Sequence, residues 1–139
     1  MITILLPVDG SKSSDRAVRH VVYLADKGMP ASIVLLNVLP RIFGVSAREQ
    51  RRLRTAMDIQ ATDRATRSAR SLLDDAQIPY RAYTRIGAAA DTILKFAKQR
   101  RCDQIVMGTR GLGAVAGLVL GSVAMKVLQL TDIPVTLVK

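Results

Sequence analysis

Apolar residues fall along the chain in two alternating patterns: short, nearly continuous runs, and stretches in which they recur every three or four residues. Ile2 to Val8 is the first run, and Pro7-Val8-Asp9-Gly10-Ser11 closes it with turn-forming residues, which predicts a buried strand and then a turn. Ala17, Val18, Val21, Val22 and Ala25 follow at helical spacing, and Lys27-Gly28 with Pro30 supplies the stop. Ser32 to Leu39 is a second, β-branched-rich strand closed by Pro40. A long helix beginning near Ser46 places Leu53, Met57, Ala61, Ala65, Ala69 and Leu72 or Leu73 on its inner stripe. Tyr80 to Ile86 alternates between Pro79 and Gly87, predicting a third strand more exposed than the first two. Ala90, Ile93, Leu94 and Ala97 mark a short helix, and Gln104 to Met107 a fourth strand. Val123, Ala124, Val127 and Leu128 then face one side of a last helix, and Pro134 to Val138 is the final strand.

Strand and helix thus alternate throughout, which implies right-handed crossovers between parallel strands. The expected architecture is an α/β three-layer sandwich: a five-stranded parallel sheet of order 3-2-1-4-5 with helices on both faces. Residues 1–139 are read as one domain. Composition agrees, because the chain is 49% hydrophobic but only 4% aromatic, so the core is aliphatic, as buried parallel strands require. In such sheets a ligand sits beyond the carboxyl ends of the strands where the order reverses, here between strands 1 and 4. Pro7-Val8-Asp9 follows the first of these and Met107-Gly108-Thr109-Arg110-Gly111 ends the second.

The formal charge is +10, from 21 Lys and Arg against 11 Asp and Glu. From Arg41 to Arg70 there are eight Arg against three acids, so much of the excess sits in one segment. Such a balance favours polyanions of any kind. The arginines lie mostly off the inner stripe, with Phe43 as their aromatic neighbour and no groove-reading motif, so a solvated face is favoured over a nucleic-acid surface. The single cysteine, Cys102, excludes an internal disulfide framework and points to a reducing compartment, the cytoplasm. The apolar start lacks the basic residues and cleavage site of a secretory signal, and the longest uncharged stretch, Gly111 to Met125, has fifteen residues, short of a membrane span of about 20.

Between Gly108 and Gly121 five of fourteen residues are glycine, although each glycine weakens regular structure by up to about 1 kcal/mol relative to alanine. Convergent backbone N–H groups ahead of a helix N-terminus hold a phosphate well, and they need a loop free of side chains. Gly108, Gly111 and Gly113 supply such a loop, and Gly121-Ser122 stands at the mouth of the last helix. The spacing is neither a Walker A loop nor G-x-G-x-x-G.

With Gly108-x-x-Gly111-x9-Gly121-Ser122, the opening Leu5-Leu6-Pro7-Val8-Asp9-Gly10-Ser11, the segment Asp103 to Gly111 and the closing Ile133 to Val138, the chain resembles ATP-binding members of the universal stress protein family over essentially its whole length. That resemblance implies that Asp9 and Gly108 contact ribose, that Pro7, Val8 and Val38 line an adenine pocket, and that Gly111, Gly121, Ser122 and Val123 bind phosphate. Met107, Thr109 and Arg110 are implied neighbours, Thr109 standing where the family usually has Ser. The implied ligand is ATP, with Mg2+ or Mn2+, and the implied role is a nucleotide-dependent regulatory binding module in the stress response, with no catalytic residue. It also implies a homodimer paired through the last strand. Family members commonly carry a basic or polar residue within 114–120, and this chain has none.

Each residue also has a structural reading. Asp9 or Ser122 can serve as a helix cap, and Ser122 can do both, since capping and phosphate binding use the same N–H groups. His20 has no evident nucleophile or carboxylate partner. Arg101 beside Cys102 would lower its pKa, though a half-buried structural thiol is favoured. A nucleotide hydrolase or phosphotransferase using Asp9, and a basic interaction protein working through the Arg-rich helix, are the rival functional readings.

Overall fold

The computed structural model describes residues 1–41, 43–111, 117 and 120–139, with the side chains of 50 and 53–59 set aside. Gly113, most of the segment 114–120, and the side chains of Leu53 and Met57 therefore lie outside the described residues. Nine elements follow one another: β1 (Ile2–Pro7), α1 (Lys12–Asp26), β2 (Ala31–Leu39), α2 (Ala47–Asp75), β3 (Tyr80–Ile86), α3 (Ala89–Gln99), β4 (Gln104–Gly108), α4 (Ser122–Leu130) and β5 (Val135–Val138).

The strands form one parallel sheet in the order β3-β2-β1-β4-β5. β1 is its centre, and Ile4 to Pro7 are buried because helices cover both faces. Side chains alternate across the sheet. Ile4 and Leu6 join Val18 and Val21 of α1 and Leu73 of α2 in one core, whereas Leu5 joins Ile93, Phe96 and Ala97 of α3 and Val127 of α4 in the other. β3, at one edge, is the least buried of the three strands nearest the chain start, as its alternating pattern predicts.

Ser11 caps α1: its Oγ accepts from the Ser14 N–H at 3.1 Å. Ser46 caps α2 in the same way, accepting from the Glu49 N–H at 3.2 Å, where the sequence places that helix start. Along α2 the stripe resolves into Ala69 and Leu73, both buried, with Ala61, Ala65 and Leu72 partly covered.

Two inner faces differ from the sequence reading. In α3 the large core side chain is Phe96, 2% exposed, and Leu94 is only partly buried. In α4 Ala124 and Val127 point inward, but Leu128 is 46% exposed, because α4 is apolar on several sides and its pattern alone does not choose a face. No helix among the described residues is long and apolar enough to cross a membrane.

Candidate functional site

The carboxyl ends of β1 and β4 adjoin where the strand order reverses, and three local devices hold the chain there. The Val8 N–H donates to the Leu36 carbonyl at 2.9 Å, extending the β1–β2 pairing past the end of β1. Asn37, only 2% exposed, donates from Nδ2 to the Val8 carbonyl at 2.9 Å, so β2 grips both faces of the same peptide segment. Asp9 then turns the chain into α1: its Oδ1 accepts from the Ser11 N–H at 2.9 Å. The cap of α1 is therefore Ser11, and Asp9 supports the turn before it rather than the helix itself.

β4 meets this corner at Gly108. A Cβ at Gly108 would lie 2.6 Å from the carbonyl carbon and oxygen of Ser13 and would also strike its Oγ, so the strand can pass α1 at this distance only without a side chain. Beyond it, the Thr109 N–H donates to the Val138 carbonyl at 3.2 Å and the Arg110 N–H to Ser13 Oγ at 3.2 Å. A Cβ at Gly111 would sit 2.8 Å from Asp9 Oδ2, which sets the aspartate carboxylate directly against the loop. The chain returns at Gly121, whose N–H donates to the Thr109 carbonyl at 2.6 Å. Gly121 occupies the cap position of α4 with no side-chain cap bond, and Ser122 is the first helical residue. The sequence alternative in which Ser122 caps this helix is thus corrected, the cap being a bare backbone.

Among the described residues around the loop, two sets of amides differ in their partners. Those of Thr109, Arg110 and Gly121 are turned into the protein. Those of Ser122, Val123 and Ala124 open α4 ahead of its first helical bond, from the Met125 N–H to the Gly121 carbonyl, and have no acceptor within the helix.

Between the two strand ends lies a cavity of about 480 Å³. All twelve residues singled out from sequence line it: Pro7, Val8, Asp9, Val38, Met107, Gly108, Thr109, Arg110, Gly111, Gly121, Ser122 and Val123. Sequence reasoning missed Ser14, Leu36, Ala89, Ile93 and Ala124, which also line it. The lining combines apolar side chains, Leu36, Val38, Ile93 and Met107, which belong to or pack against one core cluster, with the glycine-containing backbone of residues 108–111 and 121–123. Asp9 and Arg110 are the charged residues of the lining, of opposite sign. Asn37, which positions Val8, was also missed; an asparagine inside the apolar run Ile33 to Leu39 was the available signal.

Other candidates lie elsewhere. His20 is stacked against Tyr23, ring centroids 6.5 Å apart, and does not line the cavity. Cys102 is buried, and burial pushes its thiol pKa up; Asp103 adds to this and Arg100 opposes it. The favoured sequence reading of a structural thiol agrees with this burial, and the alternative of acidification by Arg101 is corrected: desolvation is the largest cause and the opposing guanidinium is that of Arg100.

Comparison with known proteins gives one family. The sequence model described as "Universal stress protein family" matches residues 1–139. Universal stress protein G of Escherichia coli O157:H7 is 32% identical over 145 residues, covering 99% of this chain and 98% of that protein. A universal stress protein of Methanocaldococcus jannaschii is 28% identical over 138 residues, covering 98% and 81%. Among solved structures, UspA from Lactobacillus plantarum superposes with a TM-score of 0.81 at 22% identity over 99% of this chain and 97% of that one. The Archaeoglobus fulgidus universal stress protein in complex with dAMP gives 0.70 at 22% identity, covering 100% and 98%. An Arabidopsis thaliana family member with AMP bound gives 0.69 at 20%, covering 100% and 92%. The chain belongs to the universal stress protein family.

Proposed function

We propose that this universal stress protein binds an adenine nucleotide in the cleft between β1 and β4 and acts as a nucleotide-responsive binding module of the stress response in the reducing cytoplasm. The observation that carries this reading is that a single cavity is lined both by apolar side chains of β2 and α3 and by glycine-containing backbone at the end of β4 and the start of α4. The first suits a purine ring and the second a phosphate. Related structures holding dAMP and AMP support the same ligand class.

Under this reading adenine lies against Pro7, Val8 and Val38, and ribose lies between Asp9 and Gly108. Phosphate is met by the amides of Gly111, Ser122 and Val123, with Arg110 at the mouth. Gly121 serves by closing the loop, since its own amide is committed to Thr109. ATP is the nucleotide that the resemblance to ATP-binding family members implies. Among the described residues no group of three or more His, Cys, Asp and Glu could hold a metal ion alone. A Mg2+ or Mn2+ carried on the phosphates fits, because such ions bind through one or two carboxylates plus phosphate oxygens, and Asp9 is the carboxylate of the lining.

Calorimetry of the purified, nucleotide-free protein with ATP, ADP, AMP and adenosine, with and without Mg2+, tests the proposal. Saturable heat with the nucleotides, lost in Val8→Trp, is expected. Absence of heat at sub-millimolar nucleotide would refute it. Occupancy can change a partner's affinity only by favouring one conformation over another, so the same titration followed by amide exchange measures the regulatory part.

A further inference from the structure

A second concavity, of about 780 Å³, opens at the carboxyl ends of β2 and β3. Val38 and Ala89 line both it and the first cavity, so the two share a wall. Tyr83 and Phe96 form an aromatic pair beneath it, ring centroids 5.2 Å apart. Cations converge on it from three separate elements: Arg41 follows β2, Arg85 lies near the end of β3, and Lys95 stands on α3. The Arg85 guanidinium carbon is 5.1 Å from the centre of the Phe96 ring and 5.6 Å from that of Tyr83, and the Arg100 guanidinium stacks on the same pair at 5.4 and 4.3 Å. Stacking fixes a guanidinium in place without using its N–H groups, of which Arg85 gives one to the Thr84 carbonyl at 2.8 Å.

Charge separates the two cavities. Among the described residues, the first is lined by one acid and one cation, whereas the second is lined by Arg41, Arg85 and Lys95 against the acid Asp91, whose carboxylate has Lys126 Nζ at 3.4 Å. The first turn of α3 also lines the second cavity, and its cap, Ala88, offers no side-chain acceptor, so the positive end of the helix dipole faces the cavity and is partly offset by Asp91 in that same turn. Phe43, 91% exposed, and Ile86 supply apolar contact at the rim.

We propose that this second cavity is a binding site for a small phosphate-bearing molecule, separate from the nucleotide assigned to the first. The Arg85 guanidinium, oriented over the two rings, matches phosphate oxygens, the Arg41 and Lys95 charges line the same cavity, and the volume is that of a small-molecule site. The shared wall at Val38 and Ala89 lets one occupant sense the other. The proposal does not depend on the first cavity binding nucleotide.

Inorganic pyrophosphate, titrated at physiological ionic strength and followed by backbone amide shifts, is the test. Saturable shifts at Arg41, Arg85 and Ala88 to Lys95 are expected. Lys95→Gln, which disturbs no ring stacking, and Arg85→Gln should each weaken binding roughly tenfold, the scale of one charge-assisted hydrogen bond. Asp91→Asn should strengthen it, and adenosine, which has no phosphate, should leave these amides unmoved. Shifts confined to Gly111, Ser122 and Val123, unsaturable shifts spread over the exposed arginines of α2, or undiminished affinity in both Gln variants would each overturn the proposal.

Discussion

A methyl group at Gly108 would meet the backbone of Ser13 at 2.6 Å, where relief requires moving α1. At Gly111 the obstacle is the end of the Asp9 side chain, 2.8 Å away, which can rotate. Gly108→Ala is therefore expected to lose roughly 1–3 kcal/mol of stability, the usual cost of overpacking. Gly111→Ala should melt within about 0.5 kcal/mol of the parent but displace Asp9 and weaken nucleotide binding. Thermal melts paired with calorimetry separate the two, and equal stability losses would contradict the geometry. Cys102 makes a second prediction at this scale. Its folded pKa is raised, so the native state holds the proton more tightly than the unfolded chain, and stability falls as pH rises past the unfolded thiol value of ~8.5. As pH rises above ~8.5 the denaturation midpoint should drop more in the parent than in Cys102→Ala, and the native thiol should react slowly with disulfide reagents. The glycines and Asp9 were legible in the sequence because turn residues after apolar runs stand out. Leu36, Ala89 and Ile93 were not, because apolar residues on a strand or helix look the same whether they face core or ligand. The Ser13–Gly108 approach, between residues far apart in the chain, leaves no local trace at all.

α1 is tied to the cleft by its first turn. Ser11 gives its side chain to the Ser14 N–H and its own N–H to Asp9. Ser11→Ala removes the first bond and keeps the second, so it should cost about 1 kcal/mol of stability with nucleotide affinity unchanged. A parallel loss of affinity would mean that the hydroxyl, rather than the amide, positions the aspartate. Element order was readable because each strand is a compact apolar run; alternation implied a parallel sheet, and the strand order came from the arrangement common to five-stranded sheets of this kind. The inner faces of α3 and α4 were less so. Phe96 and Leu94 are both plausible inward residues on spacing, and packing against Tyr83 decides for Phe96. Met125, Leu128 and Leu130 extend the apolar surface of α4 away from the core, which blurs the periodicity that identifies a buried stripe.

The sheet ends in β5, which pairs with β4 on one side only and is half-buried along its length. An open apolar edge of this kind invites pairing with another chain. With Met125, Leu128 and Leu130 exposed on the preceding helix, a homodimer through β5 is expected: light scattering at micromolar concentration should give twice 15.1 kDa, and Leu128→Glu should halve that mass without changing the circular dichroism. A monomeric parent would remove this assembly. One further consequence comes from the bond between the Gly121 N–H and the Thr109 carbonyl. It ties the exit of the glycine-rich stretch to its entrance, so these two ends are held together by described residues alone. A longer connection between the same two ends is then a matter of loop-closure entropy. Doubling its length should cost only about 0.6 kcal/mol, while the replacement residues retune which anions the same scaffold accepts.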